Sequence, residues 1–122
     1  MPMAKSFQEL LVWQKAMELV AEVYRVVKLL PREEQFAISD QMRRSAVSIP
    51  SNIAEGQARN GTKEFINFLS IAKGSNAELQ TLCLICERLS YISESELQPT
   101  IFLSNEVGKM LNALIKTLTA DH

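Results

Sequence analysis

Residues 6–31, SFQELLVWQKAMELVAEVYRVVKLLP, carry two apolar rows at helical spacing. Leu10, Trp13, Met17, Val20, Tyr24 and Val27 recur every three or four residues, and so do Val12, Ala16, Leu19, Val23, Val26 and Leu30. A strand would alternate with period two, whereas this pattern follows the turn of an α-helix. Ser6-x-x-Glu9 reads as a capping box, so the predicted helix runs from about Ser6 to Leu30. Pro31 ends it, because its ring disfavours helical geometry in the residue before it. One packed stripe needs only part of a helix circumference. The second row therefore leaves two readings: a wide core face, or a helix that faces both its own bundle and something else.

Three further amphipathic segments follow. The second, about Glu34 to Arg59, places Ile38, Met42, Ala46, Ile49 and Ile53 on one face. Pro50 lies inside it and removes the hydrogen bond to the Ala46 carbonyl. The apolar period continues in phase across Pro50, which favours a bend over a break into two helices. Asn60-Gly61 signals a turn and Thr62 an N-cap, opening a third helix to about Ser90. Its apolar positions include Phe65, Phe68, Leu69, Ala72, Leu79, Leu82, Cys83, Cys86 and Leu89. Gly74 in its middle costs about 1 kcal/mol relative to alanine, and the expected compensation is close approach by another backbone. Ser93-x-x-Glu96 is a second capping box and opens a fourth helix. Pro99 falls early enough to make its first turn irregular, and Leu97, Ile101, Ser104, Val107, Leu111, Leu114 and Leu118 form its inner row. Four long helices with short connections predict an all-α fold, an antiparallel up-and-down four-helix bundle, as one domain over residues 1–122.

Composition narrows the function classes. Apolar residues make up 47% and charged residues 22%, which excludes a disordered chain. The formal charge is −1 and the pI about 5.9, so the overall basicity of a typical nucleic-acid-binding domain is missing. The N-terminal residues run into an amphipathic segment with no apolar signal core, and no stretch reaches the ~18 apolar residues of a membrane span. A cytoplasmic protein that does not enter the membrane is the expectation.

The catalytic candidates are thin. Cys83-Leu-Ile-Cys86 has C-x-x-C spacing. A redox pair would sit at a helix N-terminus, where the dipole favours thiolate, whereas these fall deep in the third helix and read as small core residues. Zinc would need further ligands, and the only histidine is the final residue, His122. Ser45, Ser48 and Ser51 have no histidine base. Residues 56–63, GQARNGTK, have the wrong order for a phosphate loop. The expectation is a protein that is not an enzyme and uses no cofactor or metal.

The most informative polar pattern is on the second helix. Gln41, Arg44, Ser48, Asn52, Glu55 and Arg59 follow at spacings of three and four and line one side, adjacent to the apolar face. A solvated face is one reading. The mixture of Arg, Asn, Ser and Gln suits specific hydrogen bonds better than a plain solvated stripe does. Arg44, Asn52 and Glu55, with Glu78 from the third helix, are expected to hold the second helix against the third, because arginine grips carboxylates in a bidentate fashion.

Residues 43–56, RRSAVSIPSNIAEG, followed by Arg59, resemble the signature of the bacterial four-helix-bundle proteins encoded in intervening sequences of 23S ribosomal RNA genes. Residues 11–16, LVWQKA, and 71–75, IAKGS, with Glu78 and Leu79, match the same family, so the likeness covers nearly the whole chain. The resemblance implies four-helix bundles assembled as rings of five, a homopentamer. A related branch, the accessory variability protein of diversity-generating retroelements, is strongly basic and binds nucleic acid and reverse transcriptase; a charge of −1 departs from it. The expected function is therefore a non-catalytic oligomeric scaffold or protein-interaction module. The alternative is an accessory protein that binds RNA or DNA. Its candidate contacts are Arg43, Arg59 and Lys63, because residues 41–63 hold Arg43, Arg44, Arg59 and Lys63 against Glu55 alone.

Overall fold

The computed structural model describes residues 6–34 and 36–121. Its four long helices are α1, Leu11–Val26; α2, Ile38–Ala58; α3, Thr62–Arg88; and α4, Glu94–Asp121. Short 3-10 turns over Phe7–Glu9, Val27–Leu29 and Arg32–Glu34 flank α1 and lead towards α2. Each helix packs on the next, and α1 also packs on α4. Cross-helix contacts run in opposite directions: Met42 meets Cys86 while Ser48 meets Ser75, and Gln80 meets Ser104 while Asn76 lies beside Gly108. The result is an antiparallel up-and-down four-helix bundle. No described helix is long and apolar enough to cross a membrane.

The core falls on the predicted faces, except that Leu89 at the end of α3 is exposed. In α2, Met42, Ala46, Ile49 and Ile53 are fully buried, while Ile38 packs against them from the edge. In α3, Leu69, Ala72, Leu79, Cys83 and Cys86 are fully buried. In α4, Leu97, Ser104, Val107 and Leu111 are buried. Burying one Leu or Ile side chain contributes about 1.5–3 kcal/mol, so these rows hold the bundle. In α1 the inner row is Val12, Ala16, Leu19, Val23 and Val26, all buried. The other row is only partly covered: Val27 is buried, Leu10, Trp13 and Val20 are half-buried, and Met17 and Tyr24 are exposed.

Several helix ends differ from the sequence expectation. The Ser6–Glu9 box does not open α1. Ser6 Oγ instead accepts the Gln8 amide at 3.1 Å, and Leu10 adopts an extended conformation between the turn and the helix. The Phe7 ring packs edge-on against Trp13 at 5.3 Å, and Gln14 Nε2 donates to the Gln8 carbonyl at 2.9 Å, so local packing turns the segment out of helical register. Helix α2 starts at Ile38, not Glu34, because Glu34 belongs to a separate turn and its carboxylate accepts from the Tyr91 hydroxyl at 3.0 Å. Gly61, not Thr62, is the N-cap of α3. Its C-terminus is closed by Ser90 at φ 60°, with the Tyr91 amide donating to the Cys86 carbonyl at 2.8 Å. A left-handed residue beyond the last turn is a common helix stop, but serine gives no glycine signal for it.

The Ser93 box forms as predicted: Glu96 N–H donates to Ser93 Oγ at 3.2 Å, and Ser93 N–H donates back to the Glu96 carboxylate at 3.4 Å. Both prolines sit inside unbroken helices, Pro50 in α2 and Pro99 in α4. The break considered at Pro50 is therefore absent, and the first turn of α4 is helical from Glu94.

Gly74 does not mark a close approach within the chain. A Cβ built on it would meet nothing within 4 Å. The close approach is at Gly56 of α2, where an added Cβ would lie 2.6 Å from Phe68 Cβ and 3.1 Å from Phe65 Cδ1.

Candidate functional site

The seam on α2 divides when the helices pack. Ser48 and Asn52 are half-buried, while Gln41, Arg44, Glu55, Arg59 and, on α3, Glu78 are exposed. The middle of the seam reaches α3 through Ser48, and its C-terminal end through Arg59. Ser48 and Ser75 share a hydroxyl–hydroxyl hydrogen bond of 2.8 Å. Asn52 Nδ2 donates to the Ser48 carbonyl at 2.8 Å and to Ser48 Oγ at 2.9 Å. This short side chain bonds back to its own helix one turn earlier, a habit of Asn and Ser.

The charged members do not clamp α2 to α3 as expected. Glu55 accepts from Arg59 at 3.0 Å within α2. Arg59 also approaches Glu64 at 4.0 Å, and its guanidinium lies 5.0 Å from the Phe68 ring centre. Among the described residues, Arg44 and Glu78 have no ion-pair partner. The physical reason is position: both carry their charge to the outer surface, where water already solvates it. An exposed pair is worth about 0–1 kcal/mol, too little to draw them together across the groove.

The three candidate phosphate contacts are placed apart. Arg43 pairs with Asp40 at 2.7 Å and lies over the Tyr24 ring at 5.8 Å. Arg59 is held by Glu55 and Glu64. Lys63 is exposed in the first turn of α3. With Asp40 and Glu64 included, residues 40–64 hold four positive charges against three negative ones, a net of +1. The +3 of residues 41–63 is therefore offset by the two acids that flank it.

The polar cluster that sequence reading missed joins α3 to α4. Asn76, 5% exposed, donates from Nδ2 to the Ser104 carbonyl at 3.0 Å and accepts the Ser104 hydroxyl at 2.7 Å. Gln80 Nε2 donates to Ser104 Oγ at 2.9 Å and to Asn105 Oδ1 at 2.8 Å. A signal existed, because Asn76 falls in phase with Ala72, Leu79 and Cys83 on the core row. A polar residue at such a position needs a buried partner, and Ser104 occupies the matching position on α4.

The two thiols are poorly reactive. Cys83 and Cys86 are buried and free, and Cys86 Sγ lies 3.8 Å from Met42 Sδ. Burial, and secondarily Cys86, pushes the Cys83 thiol up to about 12; burial, and secondarily Glu34, pushes Cys86 to about 11. Both remain neutral near pH 7, against the thiolate that redox chemistry needs. Among the described residues no group of three or more His, Cys, Asp or Glu side chains could hold a metal ion. His122 lies outside the described residues.

One uncovered surface between α1 and α2 is apolar. The outer row of α1 and one side of α2 border an open groove of about 300 Å³, with Trp13, Met17 and Val20 on one wall and Val47, Pro50 and Ala54 on the other. Towards the C-terminal end of α1 it continues into a polar stretch lined by Tyr24, Asp40, Arg43, Arg44, Val47 and Ser48.

These features define a class: an antiparallel four-helix bundle with a buried polar lock between α3 and α4 and an uncovered apolar groove between α1 and α2. The chain belongs to the 23S rRNA-intervening sequence protein family, whose model matches residues 8–113. A crystal structure of a protein of unknown function from the S23 ribosomal protein family of Bacteroides thetaiotaomicron VPI-5482 is similar, at 29% identity and a TM-score of 0.81. The similarity covers 87% of this chain and 99% of that one. No curated protein matches this chain.

Proposed function

We propose that this protein is a non-catalytic scaffold of the cytoplasm that works as a homo-oligomer and presents its outer surfaces to protein partners. The observation that carries this reading is the uncovered half of α1, where Met17 and Tyr24 are 44% and 45% exposed beside Val47 at 40%. Contiguous apolar surface on a small bundle is a mark of an interaction site. The count of five follows from the family resemblance. The reading needs no cofactor: the sole histidine is His122 and both thiols are held neutral by burial. Native mass spectrometry tests it. Five chains of 13.7 kDa give 68.5 kDa, and a stable monomer would refute the reading.

Nucleic-acid binding is the competing reading, and Lys63 and Arg44 are exposed cations that could serve it. Against it, Arg43 and Arg59 already face carboxylates. A ring of five would carry about −5, which repels a polyanion at long range. Fluorescence-anisotropy titration at physiological salt is expected to show weak or no binding. Tight, salt-sensitive binding lost in an Arg43/Arg59/Lys63 triple-alanine variant would make nucleic acid the leading partner.

A further inference from the structure

The flank of α3 beside α2 carries three unexplained features at once. Ser75 marks that flank, because it reaches Ser48. Ile71, Glu78 and Ile85 stand four residues before it, three after and ten after, and so share its side of the helix. Ile71 and Ile85 are large apolar side chains left 52% and 39% exposed. Glu78 sits between them with no ion-pair partner among the described residues. Gly74, one residue before Ser75, costs about 1 kcal/mol in a helix interior and has empty space where its side chain would be. An apolar ridge with a notch at Gly74 and a lone negative charge is the converse of the other unsatisfied surface. That surface, between α1 and α2, is an apolar groove with Arg44 at its rim beside Tyr24 and Val47, and Arg44 also lacks an ion-pair partner among the described residues.

We infer that the α3 ridge of one copy seats in the α1–α2 groove of a second copy, with Glu78 of one meeting Arg44 of the other. This rests on the self-association reading above and names the surfaces that carry it. Covering the groove by a ridge removes both apolar patches from water, and pairing the two charges satisfies each inside the joint. The notch at Gly74 lets the groove wall, Met17 or Val47, approach the α3 backbone. The two surfaces differ, so the joint is head-to-tail, and each copy keeps one free ridge and one free groove until a ring closes.

The test is a charge exchange read by native mass spectrometry and sedimentation velocity. Arg44→Glu and Glu78→Arg each place like charges in the joint and are expected to leave 13.7 kDa monomers, and the Arg44→Glu/Glu78→Arg double variant is expected to reassemble. Both positions are exposed, so helical circular dichroism should match wild type in all three. Arg44→Gln and Glu78→Gln are expected to weaken assembly in the same direction without introducing repulsion. Single reversals that remain assembled would place the joint elsewhere while leaving self-association standing. A double variant that stays monomeric would show that the two residues do not face one another. A monomeric wild-type protein would overturn the self-association reading and this inference together.

Discussion

Gly56 and Gly74 sit inside long helices, and their surroundings are opposite. At Gly56 the α2 backbone presses against Phe65 and Phe68 of α3, so closely that an added Cβ would lie 2.6 Å from Phe68 Cβ. At Gly74 the same helix, α3, faces open space. The first glycine is explained by the chain's own packing. The second carries the helical cost of glycine with no return inside the chain, and its neighbours Ile71, Glu78 and Ile85 are likewise unsatisfied. The inner surface of α3 is thus a completed interior, closed by Gly56 on one side and by the Asn76–Ser104 pair on the other. Its outer flank has the composition of an interior without the cover.

Substitutions on the two surfaces can break or sharpen that contrast. The largest effect is expected at the closed joint: Gly56→Val should cost about 3 kcal/mol, the upper part of the overpacking range, because the new side chain collides with Phe68 Cβ. Urea denaturation reads this directly, and an unchanged midpoint would show that α2 and α3 can separate freely there.

Next is the lock on α4. Asn76→Ala should cost about 2 kcal/mol, because it leaves the buried Ser104 hydroxyl without its acceptor and opens a small void. If Ser104→Ala alone costs the same and the double variant costs no more, the pair acts as one unit.

The outer flank should behave the other way when the single chain is read by itself, which the Arg44→Glu background provides. There Gly74→Ala is expected to stabilise by about 1 kcal/mol, since alanine restores helix propensity without a clash. A loss of stability in that background would mean the flank is covered from within the chain. Smallest of all, Glu78→Ala in the same background should change stability by less than about 0.5 kcal/mol, as for an ordinary surface position. A loss of 3 kcal/mol or so, the scale of a broken buried pair, would restore the clamp between α2 and α3 that the packed bundle does not show.

The buried thiols add a pH dependence to the closed side. Cys83 and Cys86 have pKa values raised by burial to about 12 and about 11, above the ordinary thiol value of about 9 that the unfolded chain regains. Their neutral forms therefore support the fold fully below about pH 9. Stability falls as pH rises from there through the two folded values, because only the unfolded chain can release the protons easily. A midpoint that stays flat from pH 8 to 11 would show that the thiols reach water.

Periodicity alone determined that this chain makes four helices, where most of their inner faces lie, and that Cys83 and Cys86 belong inside. Those properties follow from the repeat of apolar side chains along one strand of covalent structure, and they needed no partner to be read. The Ser93 cap was equally local. Which of the two rows of α1 turns inward was decided only by tertiary packing, because both rows have the same spacing and only the angle at which α2 and α4 meet α1 chooses between them. The same holds for the polar residues. Arg44, Ser48, Asn52 and Glu55 share one side of α2, but the bundle brings only Ser48 to α3, and it leaves the charges outside where water competes with any partner. Asn76 gained its meaning from Ser104, 28 positions further along, and Gly56 from a phenylalanine on the next helix. A sequence pattern sets what each face offers; the distance between two faces exists only after they have packed.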